Sequence, residues 1–273
     1  MIKMPKLSII TVNLNNREGL RKTAESVVSQ TYKDYEWIVI DGGSTDGSKE
    51  LIEQYAEHIS YWVSEPDKGI YNAMNKGIRV AKGEYILFLN SGDYLIDGDM
   101  LNKVFAFNFD EDVVYGNQLW DYGDRMETFE SAEKVTLRNF IGGTIQHSGV
   151  SFIKREMFEE YGLYDENYRI VSDWKWFLIA VGLGKATTRH IGIFISVFDM
   201  NGISVVNTEL AKKETVIILD ELVPPKLLID YDNYSKLEKE RVEMEGRIRN
   251  SKAYRLGNAI LKPLKFVKCK FMK

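Results

Sequence analysis

Two short apolar runs in the first hundred residues each lead into a carboxylate beside glycine. The run at residues 37–40 is followed by Asp41 and two glycines, and the run at residues 85–89 leads to Asp93 across Gly92. A carboxylate at the end of a buried strand can hold a hard cation that also binds phosphate oxygens, and Asp93 is placed for that role. Asp41 and the N–H groups that follow it offer contacts for a base, a ribose or a phosphate.

Other interpretations of these segments either fail on spacing or stay open. The pattern GxGxxG is absent, and the P-loop fails because serine precedes lysine after Gly47. The segment DGGSTDG, residues 41–47, is also compatible with a turn that caps a helix. The acidic pair Asp97 and Asp99 lies just before a predicted helix at residues 100–107, so helix capping explains it better than metal binding does.

The first ninety residues alternate apolar runs with segments of helical spacing. This alternation predicts the order βαβαβαβ and favours a mostly parallel sheet covered by helices, with ligands at the carboxyl ends of the strands. The polar segments after the strands are therefore the places to look for a site. The predicted strands are residues 7–12, 37–40, 61–63 and 85–89, and the predicted helices are residues 18–29, 46–57 and 70–80.

The remainder of the chain divides into a looser α/β part and a charge-dense helical part. After residue 206 the texture changes, two prolines at residues 224–225 interrupt a helix, and residues 227–249 are helical and rich in charge. We therefore predict a domain of residues 1–206 and a helical extension of residues 207–273. Before residue 206, the predicted strands are residues 113–115, 150–153 and 193–198, and the predicted helices are residues 155–161 and 173–181.

Length and composition restrict the class of protein. The chain has 273 residues, 44% hydrophobic and 28% charged, which excludes a disordered or collagen-like protein. A single cysteine, Cys269, makes an intramolecular disulfide impossible. Together with three scattered histidines it is too little for a zinc site, so any metal must rely on oxygen ligands.

The net charge of −4 conceals an asymmetry. Residues 251–273 hold seven Lys and Arg residues and no acidic residue, so the rest of the chain carries −11 by difference. An acidic body with a basic tail argues against nucleic-acid binding. Apolar residues interleave with the cations of the tail, which is typical of a helix at an anionic membrane surface. A solvated basic end that packs on the body fits the same composition.

Neither a secretion signal nor a membrane span is evident in the sequence. The apolar stretch at residues 7–12 is too short for both, and the stretch at residues 176–184 is no better. We therefore expect a cytoplasmic protein. Peripheral attachment to the inner face of a membrane through residues 251–273 is left open, as is homo-oligomerisation.

Four motifs follow one another along the chain: LSIITVNLNN, WIVIDGGSTDGS, SEPDKGIYNAMNKGI and GEYILFLNSGD. In this order they resemble the family 2 glycosyltransferases of the GT-A fold, especially those that build bacterial surface polysaccharides. The resemblance covers about residues 5–205. It implies a Rossmann-like α/β fold and transfer of a sugar from a nucleoside-diphosphate donor, usually UDP-linked, to a glycan or lipid-linked acceptor hydroxyl, with inversion at the anomeric carbon.

The resemblance assigns donor-binding roles to residues after the first three strands. It implies that Thr11 and Asn13 line the nucleoside pocket and that Asp41 bonds the base. It places Asp67 and Lys68 beside the nucleotide.

A metal site is implied by the same resemblance. Asp93 matches the last carboxylate of the family's DxD motif, which binds Mg²⁺ or Mn²⁺ on the diphosphate. Ser91 stands where the first carboxylate is expected, so a ribose contact there falls to a hydroxyl. Asp199 is a further candidate for the metal or diphosphate surroundings, and residues 201–204 resemble a loop that closes over the donor.

The resemblance also assigns residues to the acceptor side of the site, through the segment VSDWKWFL, residues 171–178. This segment is similar to the family segment in which an acidic dyad opens a helix and supplies the catalytic base, and this gives Asp173 that role. Ser172 stands where many relatives have a second acid. His147 and Trp174 are candidates for acceptor or diphosphate contacts, with a structural histidine as the alternative for His147. Trp174 or Trp176 could stack on a sugar ring, and Trp176, next to Phe177 and Leu178, fits a core role equally well.

Two rival functions remain at this point. A sugar-nucleotide pyrophosphorylase also uses a parallel sheet and a carboxylate-bound metal, but it requires a loop rich in glycine and arginine after the first strand, where this chain has NLNNR. A non-catalytic subunit that binds sugar nucleotides or polysaccharide gains weight from Ser91. The presence of both Asp93 and Asp173 argues against it.

Overall fold

A computed structural model describes residues 4–142, 145–200, 202, 207–251 and 254. The strands of the described chain join in a single sheet that helices cover, which confirms the predicted α/β class. The strands are β1 (Leu7–Asn13), β2 (Tyr35–Asp41), β3 (Tyr61–Ser64), β4 (Tyr85–Phe88), β5 (Tyr94–Leu95), β6 (Val113–Asp121), β7 (Met126–Phe129), β8 (Ser151–Lys154) and β9 (Thr188–Asp199).

The helices follow the predicted order with small changes of boundary. The predicted helix at residues 46–57 ends earlier as an α-helix and continues as a 3₁₀ turn at Ala56–His58, and the predicted helix at residues 173–181 becomes π-helical at Leu178–Leu183. The α-helices are α1 (Arg17–Val28), α2 (Ser48–Gln54), α3 (Ile70–Val80), α4 (Met100–Phe105), α5 (Leu137–Gly142), α6 (Met157–Glu160), α7 (Ser172–Phe177), α8 (Thr208–Leu222) and α9 (Pro225–Asn250).

The sheet has the strand order β3-β2-β1-β4-β8-β6-β9-β5, and β7 pairs with β6. The four strands from β3 to β4 are parallel, so their carboxyl ends share one edge. Strand β8 joins β4 in the antiparallel direction and therefore brings the loop before it to the same edge. The register pairs Asn13 with Asp41 and Asp41 with Ser64, which gathers three polar side chains there.

The core lies on both faces of the parallel strands. Leu20, Ala24 and Val27 of α1 are buried at helical spacing. On α3, a Cβ at Gly77 would lie 2.5 Å from Cγ2 of Ile10, so only glycine allows α3 to approach β1 this closely. Close packing of α3 on the sheet brings its amino-terminal turn to the carboxyl edge of the strands.

Strands β6 and β9 are longer than the apolar runs predicted. They pair with each other in parallel, and a register shift occurs between Tyr115 and Asn117. Polar residues continue both strands because they bond across the pair: His190 Nε2 lies 2.8 Å from Asn117 Oδ1. Such a pairing is not visible in apolar periodicity.

By packing, the chain divides into two compact units, residues 1–219 and 220–273. The first part of α8 thus belongs with the first unit, and the division at residue 206 stays a prediction. The prolines at residues 224–225 separate α8 from α9, as expected. Apart from residues 251 and 254, the basic tail lies outside the described residues, as do residues 201 and 203–204 of the predicted closing loop.

Among the described residues, every helix is too short or too polar to cross a bilayer.

Candidate active site

Asp41, at the carboxyl end of β2, is fully buried and accepts four hydrogen bonds. Asn13 Nδ2 and Ser44 Oγ donate to Oδ1 at 2.7 and 2.5 Å, and the Ser44 N–H and Ser64 Oγ donate to Oδ2 at 2.9 and 2.6 Å. Burial raises the pKa of Asp41, but these hydrogen bonds outweigh it and hold the pKa below its ordinary value. The carboxylate is therefore charged and fixed in direction.

Asn13 combines a bonded amide with an unpartnered carbonyl. Its Nδ2 donates to Asp41 and also to Ser44 Oγ at 3.2 Å, whereas its Oδ1 is buried without a hydrogen-bond partner among the described residues. Leaving a buried acceptor unbonded costs about 1–3 kcal/mol. A ligand N–H or O–H that reached this oxygen would recover that energy.

Three other residues expected near the nucleotide have different surroundings. Thr11 is fully buried and accepts a 3.0 Å hydrogen bond from Trp37 Nε1. It therefore packs in the core, and its lining of a nucleoside pocket stays a prediction.

Asp67 Oδ1 lies 2.5 Å from Lys76 Nζ, and burial raises the pKa of Asp67 despite that partner. Lys68 is exposed. Asp67 is near the Asp41 edge, since its Oδ2 lies 3.3 Å from where a Cβ on Gly42 would be.

Asp93 lies in a second buried cluster at the end of β4 and is only 3% exposed. Ser148 Oγ donates to its Oδ2, and the Asp199 N–H donates to its Oδ1 at 3.0 Å. Burial raises the pKa of Asp93 to about 7, and the charge of Asp199 raises it further. The Asp199 carboxylate also faces Gly92, where a Cβ would lie 3.0 Å from its Oδ2. Two carboxylates therefore meet here.

The loop that carries Asp93 is tied to the start of α1. Asn16, the N-cap of α1, donates from Nδ2 to the Ser91 carbonyl at 3.0 Å, and the Ser91 N–H donates to the Val12 carbonyl at 3.1 Å. Asn90 Oδ1 is buried without a hydrogen-bond partner in the described part of the chain. The loop thus carries a further buried oxygen three residues before Asp93.

The second acidic pair has a structural role, but the Asp99 side chain makes no capping hydrogen bond to α4. Asp99 is the N-cap residue of α4 and accepts hydrogen bonds from Thr31 and Asn102, both at 2.7 Å. Asp97 accepts one from Lys103 Nζ at 2.7 Å. Both carboxylates therefore brace α4 against its neighbours.

Asp173, in the first turn of α7, is held by residues from two distant segments. Tyr71 Oη, on α3, donates to its Oδ1 at 2.7 Å, and His147 Nδ1 lies 3.7 Å from its Oδ2. The Asp173 side chain is 26% exposed. One carboxylate oxygen is thus engaged by Tyr71, while the side chain as a whole remains accessible.

His147 is buried and connects Asp173 to the core. Its Nε2 lies 2.7 Å from Tyr164 Oη, and its ring packs 4.7 Å from the ring of Phe88 on β4. Burial lowers the pKa of His147, and the nearby Asp173 only partly opposes this. The imidazole is therefore neutral at pH 7. When Tyr164 donates to Nε2, the ring proton is on Nδ1 and faces Asp173.

The two tryptophans of α7 are core residues. Trp174 is 8% exposed and donates from Nε1 to the Phe140 carbonyl at 3.2 Å. Trp176 donates to the Gly162 carbonyl at 2.8 Å and stacks on Phe158. This packing favours the core alternative for Trp176 and places Trp174 in the core as well, and a sugar contact for Trp174 stays a prediction. Ser172 Oγ is buried without a hydrogen-bond partner among the described residues.

Sequence reasoning missed three residues that support Asp173, Asp93 and the nearby main chain of Tyr164. Tyr71 bonds Asp173, Ser148 bonds Asp93, and Asn75 exchanges hydrogen bonds of 2.9 and 3.0 Å with the Tyr164 main chain. Tyr71 and Asn75 are four residues apart in the third motif, and therefore lie on one face of α3. That spacing was the available signal, whereas Ser148 gave none.

The surroundings of Asp173 and those of Asp93 are joined through two consecutive residues. His147 faces Asp173, and Ser148 bonds Asp93. The arrangement offers an accessible carboxylate able to accept a proton and, beside it, a buried acidic pair of the oxygen-ligand type that hard cations prefer.

Known proteins with similar sequences are glycosyltransferases. The family model described as glycosyl transferase family 2 matches residues 8–162, more than half of the chain. An uncharacterised glycosyltransferase of Mycobacterium tuberculosis is 32% identical over 210 residues, 74% of this chain and 78% of that relative. A PGL/p-HBAD biosynthesis glycosyltransferase of Mycobacterium bovis is 29% identical over 219 residues, 77% of this chain and 84% of the relative.

Solved structures support the fold. Residues 1–349 of Staphylococcus aureus TarS, in complex with UDP-GlcNAc, match with a TM-score of 0.62 and 18% identity, over 74% of this chain and 61% of that one. This chain thus spans less than two thirds of the TarS fragment. A mannosyltransferase from Pyrobaculum calidifontis, in complex with GDP-Man and Mn²⁺, matches with a TM-score of 0.61 and 15% identity, over 94% and 84%. From the family match and this fold, we conclude that the chain belongs to glycosyltransferase family 2 and is a glycosyltransferase with the GT-A fold.

Proposed function

We propose that this protein transfers a sugar from a nucleoside-diphosphate donor, UDP in our interpretation, to an acceptor hydroxyl with inversion at the anomeric carbon. The observation that carries the proposal is the Asp173 carboxylate, which is accessible, accepts a hydrogen bond from Tyr71 and has His147 nearby. The sugar nucleotides bound to TarS and to the Pyrobaculum mannosyltransferase support the class of donor. A pyrophosphorylase is not favoured, because the chain matches the glycosyltransferase family.

In the proposed reaction, Asp173 acts as the general base. Its carboxylate takes the proton of the acceptor hydroxyl as that oxygen bonds to the anomeric carbon, and the nucleoside diphosphate leaves from the opposite face with the bonding electrons. Tyr71 engages Oδ1, and neutral His147 stands beside Oδ2. The Tyr71 hydrogen bond limits rotation of the carboxylate, which favours a productive approach of the acceptor.

On the donor side, Asp41 and Asn13 would receive the nucleoside. Asp41 is charged and braced by four donors, and the unpartnered Asn13 Oδ1 next to it can accept from a ligand N–H or O–H. Buried polar groups that lack partners discriminate strongly between ligands. This edge is therefore expected to select the base and the ribose.

Mg²⁺ or Mn²⁺ fits the second cluster. Its ligands would be Asp93 and, beside it, Asp199, and Asn90 adds an unpartnered oxygen. Burial and the charge of Asp199 raise the pKa of Asp93, and a dication at this place would offset both effects. When bound, the ion would neutralise charge on the diphosphate. Within the described residues, no three acidic, histidine or cysteine side chains gather to hold a metal, so donor phosphate oxygens would have to complete the coordination.

A donor screen tests the proposal. The matching sugar nucleotide, in the presence of Mn²⁺, should raise the melting temperature, because a ligand at 100 times its Kd stabilises the folded state by about 2.7 kcal/mol. NMR of the product of that donor should then show the inverted anomer. Retention of configuration, or the absence of stabilisation by any UDP-, GDP- or dTDP-sugar, would refute the proposal.

The acceptor proposed here is a glycan or a lipid-linked sugar, and the basic tail would hold the enzyme at an anionic membrane. Each cation among anionic headgroups contributes about 1 kcal/mol. Deleting residues 251–273 should therefore abolish co-sedimentation with anionic vesicles while sparing transfer to a soluble acceptor. Failure of the intact protein to bind such vesicles at low salt would remove the membrane proposal and leave the transfer proposal untouched.

A further inference from the structure

Glu214 is a buried carboxylate on α8, downstream of the part of the chain that resembles the family. It is 7% exposed, and it accepts three hydrogen bonds from the main chain of residues 169–171. The Arg169 N–H donates to Oε1 at 2.8 Å, and the N–H groups of Ile170 and Val171 donate to Oε2 at 3.0 and 3.3 Å. All three donors are backbone groups, so Glu214 fixes the path of this segment.

The segment that Glu214 holds leads directly into the catalytic turn. Val171 is the N-cap residue of α7, and its carbonyl accepts from the Lys175 N–H at 2.9 Å in the turn that contains Asp173. The position of Val171 therefore sets where α7 begins and where the Asp173 side chain starts.

A second path runs through Ile170 and Tyr71. The Ile170 N–H is bound by Glu214, and its carbonyl accepts from Tyr71 Oη at 2.6 Å. The same hydroxyl lies 2.7 Å from Asp173 Oδ1, so its single proton is shared between these two acceptors. Because one hydroxyl serves both acceptors, displacement of the Ile170 peptide would also displace the donor that orients Asp173.

We propose that Glu214 is a positioning residue for the general base, acting on Asp173 through the main chain of residues 169–171 and through Tyr71. This inference rests on the proposed function of Asp173. It assigns to α8, which the sequence suggested was part of an extension, a share in the geometry of the reaction. A burial cost for the carboxylate is offset by the three N–H donors, which explains why an acid is tolerated there.

The test compares Glu214→Gln with Glu209→Gln, a control on the same helix. Glu209 is exposed and pairs with Lys212 at 2.8 Å. Glutamine places an NH₂ group against a backbone N–H, so residues 169–171 should shift, and a displacement of about 1 Å can cost up to about 100-fold in rate. We expect kcat for transfer to fall at least about tenfold, with donor Kd close to that of the control. The melting temperature should be lower than that of the control, because a buried acceptor of three N–H groups is weakened. A kcat within twofold of the control would overturn the inference.

A second experiment distinguishes positioning of Asp173 from a general structural role: Glu214→Gln is repeated in an Asp173→Asn background. If Glu214 acts through Asp173, Glu214→Gln should cause little further loss there, whereas an equal loss in both backgrounds would overturn the inference. Should Glu214→Gln fail to fold, Glu214→Asp, which keeps the charge but shortens the reach, is judged by the same two criteria. Full activity of Asp173→Asn alone would refute the proposed function, whereas full activity of Glu214→Gln beside an inactive Asp173→Asn removes only this inference.

Discussion

Asp93 and Asp173, the two acidic residues assigned to the reaction, lie in opposite surroundings. Asp93 is 3% exposed, and burial raises its pKa to about 7. The Asp173 side chain is 26% exposed and is bonded by the Tyr71 hydroxyl. A buried carboxylate without a cation is suited to receive one, whereas an accessible carboxylate is suited to receive a proton. The environments, more than the residue type, separate the two roles.

The two carboxylates nevertheless share one backbone segment. His147 stands beside Asp173, and the next residue, Ser148, bonds Asp93. Consecutive α-carbons are about 3.8 Å apart, so movement of this dipeptide would disturb both sites. Variants on either side therefore test whether the roles are as separate as their surroundings indicate.

The largest expected effect is that of Asp173→Asn. Transfer should fall by about 100-fold or more, because the amide cannot take the acceptor proton, while donor affinity measured by calorimetry stays unchanged. Asp124→Asn, at an exposed carboxylate beside Arg125, is the matched control. Weak donor binding combined with normal turnover would move Asp173 out of the acceptor site.

Asp93→Asn should remove most of the metal-dependent turnover, by about 10- to 100-fold, since a neutral amide binds a dication poorly. The rate measured against Mn²⁺ concentration reports this loss. Asp99→Asn, in the acidic pair beside α4, is the control and should keep the wild-type response. An unchanged metal response in Asp93→Asn would show that the cation is held elsewhere.

Tyr71→Phe should lower kcat by about tenfold, because Asp173 loses the donor that fixes Oδ1. The donor side should not respond, so KM for the sugar nucleotide is expected to stay the same. Steady-state kinetics with each substrate varied separates the two. A change confined to the donor KM would show that Tyr71 acts on donor binding and not through Asp173.

The smallest effect on kcat for transfer, and the clearest effect on stability, is expected for Asp41→Asn. The native pKa of Asp41 is lowered, so its contribution is present above the unfolded value of 3.8 and is lost as pH falls through the native pKa. At pH 7 the variant should be less stable by about 1–3 kcal/mol in urea unfolding. The difference should shrink below about pH 4. A difference that stays constant or grows on acidification would contradict the assignment.

The residues assigned to the donor could be predicted from the sequence, because they lie at the carboxyl ends of strands. Asp41 and Asp93 follow apolar runs, and parallel strands deliver their carboxyl ends to one edge. The predicted helix at residues 70–80 has those bounds in the structure. Strands β6 and β9 were underestimated, because Asn117 and His190 satisfy each other across the pair. Periodicity detects apolar burial and does not detect polar pairs of this kind.

The sequence by itself determined the parallel α/β order, the family through four motifs, and the identity of Asp93 and Asp173 as the acids to examine. Tertiary structure decided what surrounds them. Tyr71 and Asp173 are 102 residues apart in the chain. Glu214 accepts hydrogen bonds from residues 169–171, which precede it by 43 to 45 positions. Short-range patterns record what a residue does within its own strand or helix, because the neighbours there are fixed by geometry. Contacts between distant elements depend on how those elements pack, and the surroundings of each acid come from that packing.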